Sequence, residues 1–227
     1  MNLANFMVIE GLDGSGKTTQ LNLLRNHLEA QGTPYHHIHF PMLNQGQYGT
    51  LVAEYLRGEF GALEAVHPKL VALLFANDRK EHVHQLQQWL AAGHVVIADR
   101  YVNSNIAFQC AKCPDPAQKQ ALKQWILDFE YGYNALPRPA TSLYLDVPFE
   151  AVKKSLTNQR TGQDRNYLGG KADIHETDLS FQEKVRQQYL AMVQEQADFK
   201  RVECFDAAGN FLPPQQIHQA IKTALNL

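Results

Sequence analysis

Gly11-Leu12-Asp13-Gly14-Ser15-Gly16-Lys17-Thr18 fits the pattern G-x-x-x-x-G-K-[S/T] at every defined position, and its flanks supply the strand and helix that such a loop requires. The apolar run Phe6–Glu10 precedes it and reads as a buried strand. Behind it, Leu21, Leu24 and Leu28 recur at helical spacing, and the pattern stops at Gly32. The residue types follow from the chemistry. Glycines let backbone N–H groups turn inward around phosphate oxygens, and the N-terminus of the helix adds its positive end. Lys17 then reaches the β- and γ-phosphates of ATP as a point charge, and Thr18 offers its hydroxyl to Mg2+. Gly11, Asp13, Gly14, Ser15, Gly16, Lys17, Thr18 and Thr19 form the expected ATP-binding loop.

Outward from this loop, four more apolar runs read as strands: Tyr35–Phe40, His94–Ala98, Ser142–Asp146 and Arg201–Phe205. Helical patterns lie between them. One opens at Pro68, runs through Leu70, Leu73, Leu74, Val83, Leu86 and Leu90, and stops at Gly93. Asp115-Pro116 reads as cap and first turn of a helix continuing towards Glu130; Pro148 begins one towards Asn158, and Pro213-Pro214 precedes the last. Strands alternating with helices predict an α/β protein whose mostly parallel sheet is covered on both faces. One domain over 1–227 is expected. Residues 160–178 hold Gly162, Gly169, Gly170, mixed charges and little apolar periodicity, which predicts a mobile lid segment.

Composition narrows the function. The 227 residues are 44% hydrophobic and 19% charged, which excludes a disordered chain. A net charge of −2 lacks the basic footprint of a nucleic-acid binder, so an anionic partner must be gripped locally. The start carries no signal-peptide pattern, and no apolar run approaches the ~18 residues of a membrane span, so a cytoplasmic protein without a membrane partner is expected. Cys110 and Cys113 form a C-x-x-C with only Cys204 left over, which suits incidental thiols better than zinc or a disulfide. His36, His37 and His39 alternate along a strand with no carboxylate or thiol beside them in sequence, and read as surface imidazoles.

A phosphate loop alone does not separate switch, motor and kinase. The N-K-x-D segment of guanine-nucleotide switches is absent, and Asp206-Ala207-Ala208-Gly209 spells D-x-x-G only after the last strand, where it reads as a turn. The length fits a small phosphotransferase. The run His94–Ala98 delivers Asp99 and Arg100 to the carboxyl edge of the sheet, where ligands bind in open α/β folds. Asp99 suits the Mg2+ shell, and Arg100 a phosphate. Phe75 and Arg79 project from one face of a helix, a flat apolar ring beside a planar donor, and Asn105, Phe108 and Gln109 fall at i, i+3 and i+4 of the next.

These residues, taken together, resemble the thymidylate kinases over nearly the whole chain. The resemblance rests on Glu10-Gly11-Leu12-Asp13, Phe40-Pro41, Leu74-Phe75-Ala76-Asn77-Asp78-Arg79 and the stretch from Asp99-Arg100-Tyr101 to Gln109. Asp173-Ile174-His175-Glu176 with Phe181, Val185-Arg186 and Tyr189 is similar to the lid-to-helix segment of these enzymes. It implies a five-stranded parallel sheet of order 2-3-1-4-5, ATP and dTMP as substrates with Mg2+, and a homodimer. It also implies that Phe75 stacks on thymine, Arg79 bonds its O4, Asn105 helps to read the base, and Phe108 crowds the 2′ carbon. Asp13, Phe40, Pro41, Arg100, Ser104 and Gln109 complete the implied acceptor set.

Gly14-Ser15 leaves no arginine inside the phosphate loop, so the resemblance shifts that charge to the lid: Arg165 for the phosphates and Arg160 beside adenine. One departure stands out. The arginine that usually follows Phe-Pro in the family is missing, and Met42 and Leu43 stand there instead, leaving the monophosphate to Arg100 or to a substitute. The catalytic set is thus Lys17, Asp99, Arg100 and Arg165, with Thr18 and Asp99 towards the metal. A deoxynucleoside kinase and a nucleotide-binding regulator that transfers no phosphate are the two alternative readings.

Overall fold

The computed structural model of the protein describes residues 5–43, 45–157 and 167–227. Its centre is a parallel sheet of five strands, β1 (Phe6–Gly11), β2 (Tyr35–His39), β3 (Val95–Asp99), β4 (Thr141–Asp146) and β5 (Phe199–Glu203), in the order β2-β3-β1-β4-β5. That is the expected order. β1 and β4 are buried along almost their whole length, so their centres, Phe6–Ile9 and Leu143–Leu145, are apolar runs rather than alternating ones.

The helices are α1 (Lys17–Ala30), α2 (Gly46–Leu56), α3 (Pro68–Glu81), α4 (Val83–Ala91), α5 (Val102–Cys110), α6 (Pro116–Leu127), α7 (Phe149–Thr157), α8 (Leu179–Glu195) and α9 (Pro214–Leu225). α1 buries Leu21, Leu24 and Leu28, and the chain leaves it through Gly32 at φ 65°. Asp115 caps α6 by accepting from Gln118 N at 2.8 Å, with Pro116 in the first turn. Asp206 organises the expected turn by accepting from the backbone N–H groups of Ala208 and Asn210.

Three expectations change. The single helix expected from Pro68 to Leu90 is two, α3 and α4, broken at His82. Val83 lies seven residues beyond Ala76, so the apolar period runs straight through the break and conceals it. The break redirects the chain: α3 packs on α2 and α5, whereas α4 lies against β3. α2 itself was not expected, because two glycines near its start depress helix propensity. The last strand begins at Phe199 rather than Arg201; Cys204 and Phe205 belong to the following turn, where Leu212 N donates to Cys204 O and Phe205 bridges Phe211.

All three thiols are free and buried, and burial raises Cys110 to about 12, so the C-x-x-C is a packing element. His36 stacks on Trp89 and shares a hydrogen bond with His94 at 2.8 Å.

Gly49 in α2 has a structural reason. A Cβ there would run into the carbonyl oxygen of Met42, on the segment that leads out of β2. Gly49→Ala, which in an exposed helix stabilises by roughly 0.5–1 kcal/mol, is expected here to destabilise by about 1–3 kcal/mol in chemical denaturation. An unchanged or raised stability would show that the two segments separate freely.

Candidate active site

A cleft of about 430 Å3 opens at the carboxyl edge of the sheet, above the ends of β1 and β3. The phosphate loop forms one end. Gly14 and Gly16 adopt φ of 77° and 83°, the left-handed turn that aims backbone N–H groups inward. A Cβ at Gly14 would collide with the Ser155 side chain on α7, so this position has no room for an arginine. Lys17, buried at the start of α1, donates to the carbonyls of Gly11 (3.2 Å) and Leu12 (2.9 Å).

β3 delivers the next group. Register pairs Asp99 with His39 on β2, and His39 Nδ1 lies 2.9 Å from Asp99 Oδ2. His39 is exposed, as expected of a surface imidazole, but it has a carboxylate partner that sequence proximity did not show, on the neighbouring strand sixty residues away. Burial alone would raise the Asp99 carboxyl; the His39 hydrogen bond, with Lys17 and Arg100 nearby, outweighs it and holds the group down at about 2. Asp99 is therefore ionised, and its buried Oδ1 has no hydrogen-bond partner among the described residues. An ionised carboxylate with an open oxygen, on the same cleft as the Thr18 hydroxyl, fits a divalent cation that prefers one or two protein oxygens.

Arg100 follows at φ 65°, a left-handed conformation that a side chain adopts only where its surroundings hold it. Its guanidinium donates to Asp13 Oδ1 at 2.7 Å and Ser104 Oγ at 3.2 Å, and lies 5.2 Å from the Phe108 ring centre. Asp13 belongs to the phosphate loop and Ser104 to α5, so Arg100 stands where the two ends of the cleft meet.

The far end is built on α3 and α5. Arg79 is buried and forms a bidentate pair with Glu130, Nε to Oε2 at 2.6 Å and a terminal nitrogen to Oε1 at 2.7 Å. Glu130 comes from the π-helical turn Asp128–Tyr133 that continues α6. Asn105, on the cleft wall, donates its amide to Ala72 O (3.0 Å) and Glu130 Oε1 (2.8 Å), which fixes the amide orientation. Asn105 Oδ1 and Gln109 Oε1 are buried acceptors without a hydrogen-bond partner among the described residues. The Phe75 and His175 rings run parallel within 15°, 6.4 Å apart.

Asp13, Gly14, Ser15, Gly16, Lys17, Thr18, Phe40, Pro41, Phe75, Arg79, Asp99, Arg100, Ser104, Asn105, Phe108 and Gln109 all border this one cleft. Gly11 lies beneath it against Ser15, and Thr19 points outward from α1. Arg160 and Arg165 lie outside the described residues. The described part of the expected lid, 167–178, packs into the cleft wall through Tyr167, Asp173 and His175. Glu10, His39, Glu130 and His175 were not among the expected site residues. Only the position of Glu10 beside the loop, and of His175 in the motif after the lid, carried any signal.

A family model described as thymidylate kinase matches residues 9–209. A thymidylate kinase of Mycobacterium tuberculosis (strain ATCC 25618 / H37Rv) is 33% identical over 187 residues, covering 82% of this chain and 84% of that protein. One from Fervidobacterium nodosum is 32% identical over 196 residues, covering 86% and 87%. Among solved structures, a thymidylate kinase from Candida albicans superposes with a TM-score of 0.72 at 26% identity, over 97% of this chain and 90% of that one.

The Arg79–Glu130 pair gives a stability test. Glu130→Ala strands a buried guanidinium and is expected to cost about 3–5 kcal/mol, while Glu130→Leu combined with Arg79→Met restores most of the loss. Chemical denaturation of the three proteins decides it: a double variant as weak as the single one would show that the pair does more than satisfy itself.

Proposed function

The chain belongs to the thymidylate kinase family, and from that premise we infer that it transfers the γ-phosphoryl of ATP to dTMP, giving dTDP and ADP. One observation carries the reading. A phosphate loop and an aromatic slot bordered by a fixed guanidinium and two amide side chains, each with an unpartnered oxygen among the described residues, share a single cleft. A deoxynucleoside kinase or a non-catalytic regulator is not favoured by the family match.

The residues take their parts from position and charge. Gly11, Asp13, Gly14, Ser15, Gly16 and Thr19 belong to the loop that cradles ATP, and Lys17 follows charge onto the transferred phosphoryl. Thr18 and Asp99 would hold Mg2+, which would supply neutralising positive charge to the phosphates. Arg100, aimed by Asp13 and Ser104, grips the dTMP phosphate in place of the arginine absent after Phe40-Pro41. Arg165 stabilises the moving group and Arg160 flanks adenine, with 160–178 as the lid of a single kinase domain. At the other end thymine lies on Phe75, its O4 accepts from Arg79, and its N3–H donates to Asn105 or Gln109. Phe108 crowds the 2′ carbon. A homodimer and a cytoplasmic location belong to the same reading; among the described residues no helix is long and apolar enough to cross a membrane.

Two experiments test these assignments. Lys17 interacts most strongly with charge that develops in the transition state, so Lys17→Met is expected to cut turnover by orders of magnitude in a folded protein. Near-normal dTMP-dependent ADP formation would remove the loop from catalysis. Cytosine places an amino group against Arg79 and a lone pair against the amide oxygens. The enzyme is therefore expected to prefer dTMP over dCMP by at least roughly tenfold in kcat/KM. Arg79→Met together with Glu130→Gln, which leaves no buried carboxylate stranded, should lose most of that preference. Undiminished discrimination would move base reading elsewhere.

A further inference from the structure

Behind the slot, three side chains that the assignments above leave unused stand in line. Lys112, just past α5, places Nζ 2.6 Å from the Tyr55 hydroxyl, and that hydroxyl lies 3.2 Å from His175 Nε2. Tyr55 is fully buried on α2, and His175 forms part of the cleft wall. The imidazole sits 5.0 Å from the Phe108 ring and 5.5 Å from Phe181, parallel to Phe75.

Counting donors and acceptors fixes the protons along this line. An ammonium has three N–H groups and no lone pair, so Lys112 must donate and the Tyr55 oxygen must accept. Burial pushes the Tyr55 phenol well above its ordinary range, so it keeps its single proton. That proton then has one buried acceptor in reach, His175 Nε2. Burial, with Lys112 and Arg100 nearby, pushes His175 well below the usual histidine range, so the ring is neutral and carries its proton on Nδ1. Nδ1 makes no hydrogen bond to any described residue.

We propose that His175 is a further acceptor-contacting residue, presenting an Nδ1–H donor to dTMP, and that Lys112 is the positioning residue that fixes this tautomer through the Tyr55 hydroxyl. The proposal rests on the reading of the cleft as the dTMP site. Its chemistry suits that ligand, whose carbonyl, sugar and phosphate oxygens are acceptors and whose N3–H is already matched by amide oxygens. A bare Nδ1 lone pair would face oxygen lone pairs instead.

The arrangement also reverses. Burial lowers Lys112 to about 7, opposed by Glu64 from the α2–α3 connection and by Cys113 beside it. Tyr55 faces it from α2. The groups acting on His175 besides Lys112 are Asp13 from the phosphate loop and Arg100, while Asp173 acts on Tyr55. A neutral amine has a lone pair, so the phenol can turn its proton to Lys112 and accept from His175 Nε2–H. The donor at Nδ1 is then lost. The sign follows: dTMP binding is favoured below the Lys112 pKa and weakens as pH rises through about 7.

Nitrogen-15 NMR of the full chain labelled in histidine reads the tautomer directly, with His175→Gln identifying the signal. At about pH 6 the wild type should show protonated Nδ1, and dTMP should shift it; above about pH 8 the proton should move towards Nε2. Lys112→Met should mix the tautomers at both values and raise the dTMP KM about three- to tenfold at the lower one, with kcat and the ATP KM nearly unchanged. Lys112→Arg, a donor that does not titrate, should match the wild type at low pH and hold the KM flat at high pH. Tyr55→Phe, which keeps the ring and cuts the line, repeats the Lys112→Met result if arginine is not accommodated. A wild-type ring protonated on Nε2 at low pH, a dTMP-insensitive signal, or variants that share the wild-type pH profile would each overturn the proposal. Failure of the underlying substrate reading looks different, because the wild type itself would then release no ADP with dTMP.

Discussion

The carboxylate of Glu10 is the joint on which both halves of the cleft turn. It lies near the end of β1, immediately before the phosphate loop, fully buried, and accepts from Tyr101 N (2.9 Å), Ser104 N (3.1 Å), Ser104 Oγ and Tyr189 Oη. Tyr101 N and Ser104 N belong to the first turn of α5, so a side chain from another strand caps the helix that carries Asn105, Phe108 and Gln109. Burial raises the Glu10 pKa, opposed by the Ser104 hydroxyl, the Arg100 charge, Tyr101 N–H and the Tyr189 hydroxyl. The loop and the acceptor helix therefore share one rigid anchor. Phosphoryl transfer leaves a protein little to do beyond placing two nucleotides and stabilising charge, and an anchor common to both sites is the structural form of that requirement.

Glu130 does for the base what Glu10 does for the backbone. It holds Arg79 on α3 and Asn105 on α5 with one carboxylate, so the guanidinium and the amide keep a fixed spacing. A buried ion pair contributes little net stability, because desolvation offsets most of the attraction. Its return is geometric. The amide of Asn105 cannot flip without losing two hydrogen bonds, and the guanidinium of Arg79 cannot rotate without stranding its charge. Discrimination between bases that differ by one donor and one acceptor requires that rigidity.

Local signals were readable and remote ones were not. The phosphate loop, the cap at Asp115, the Pro213-Pro214 start of the last helix, and the placing of Phe75 and Arg79 on one helix face all lie within a few residues of the features that announce them, whereas the strand order came from the family resemblance. The break at His82 left no mark, because the apolar period continues through it. α2 was hidden by Gly49, whose absent side chain is needed for an approach by Met42. Glu10, Glu130 and His39 act on partners 91, 51 and 60 residues away. A buried carboxylate and a solvated one are spelled alike in sequence, and only the fold distinguishes them. Strand register had to be known before His39 could be paired with Asp99.

The missing arginine after Phe40-Pro41 has a local explanation. Met42 N donates to both oxygens of Asp78 (3.2 and 3.1 Å), its carbonyl presses on Gly49, and its side chain packs against the core. Position 42 is thus tied on three sides, and a long cation there would have to leave an apolar site to reach the cleft. Leu43 borders the cleft instead, and adds no charge. Among the described cleft residues Lys17, Arg79 and Arg100 are the lysine and arginine side chains; Lys17 belongs to the loop and Arg79 is committed to Glu130. In the proposed reading Arg100 takes the acceptor phosphate. Its left-handed backbone turns the chain sharply out of β3 while the guanidinium reaches back to Asp13. The strain at one residue is held by Glu10 on its C-terminal side and by the hydrogen bond from Arg100 N to Ile9 O (2.9 Å) on its own. The loss of a cation at one position and the strained geometry at another are two aspects of a single arrangement.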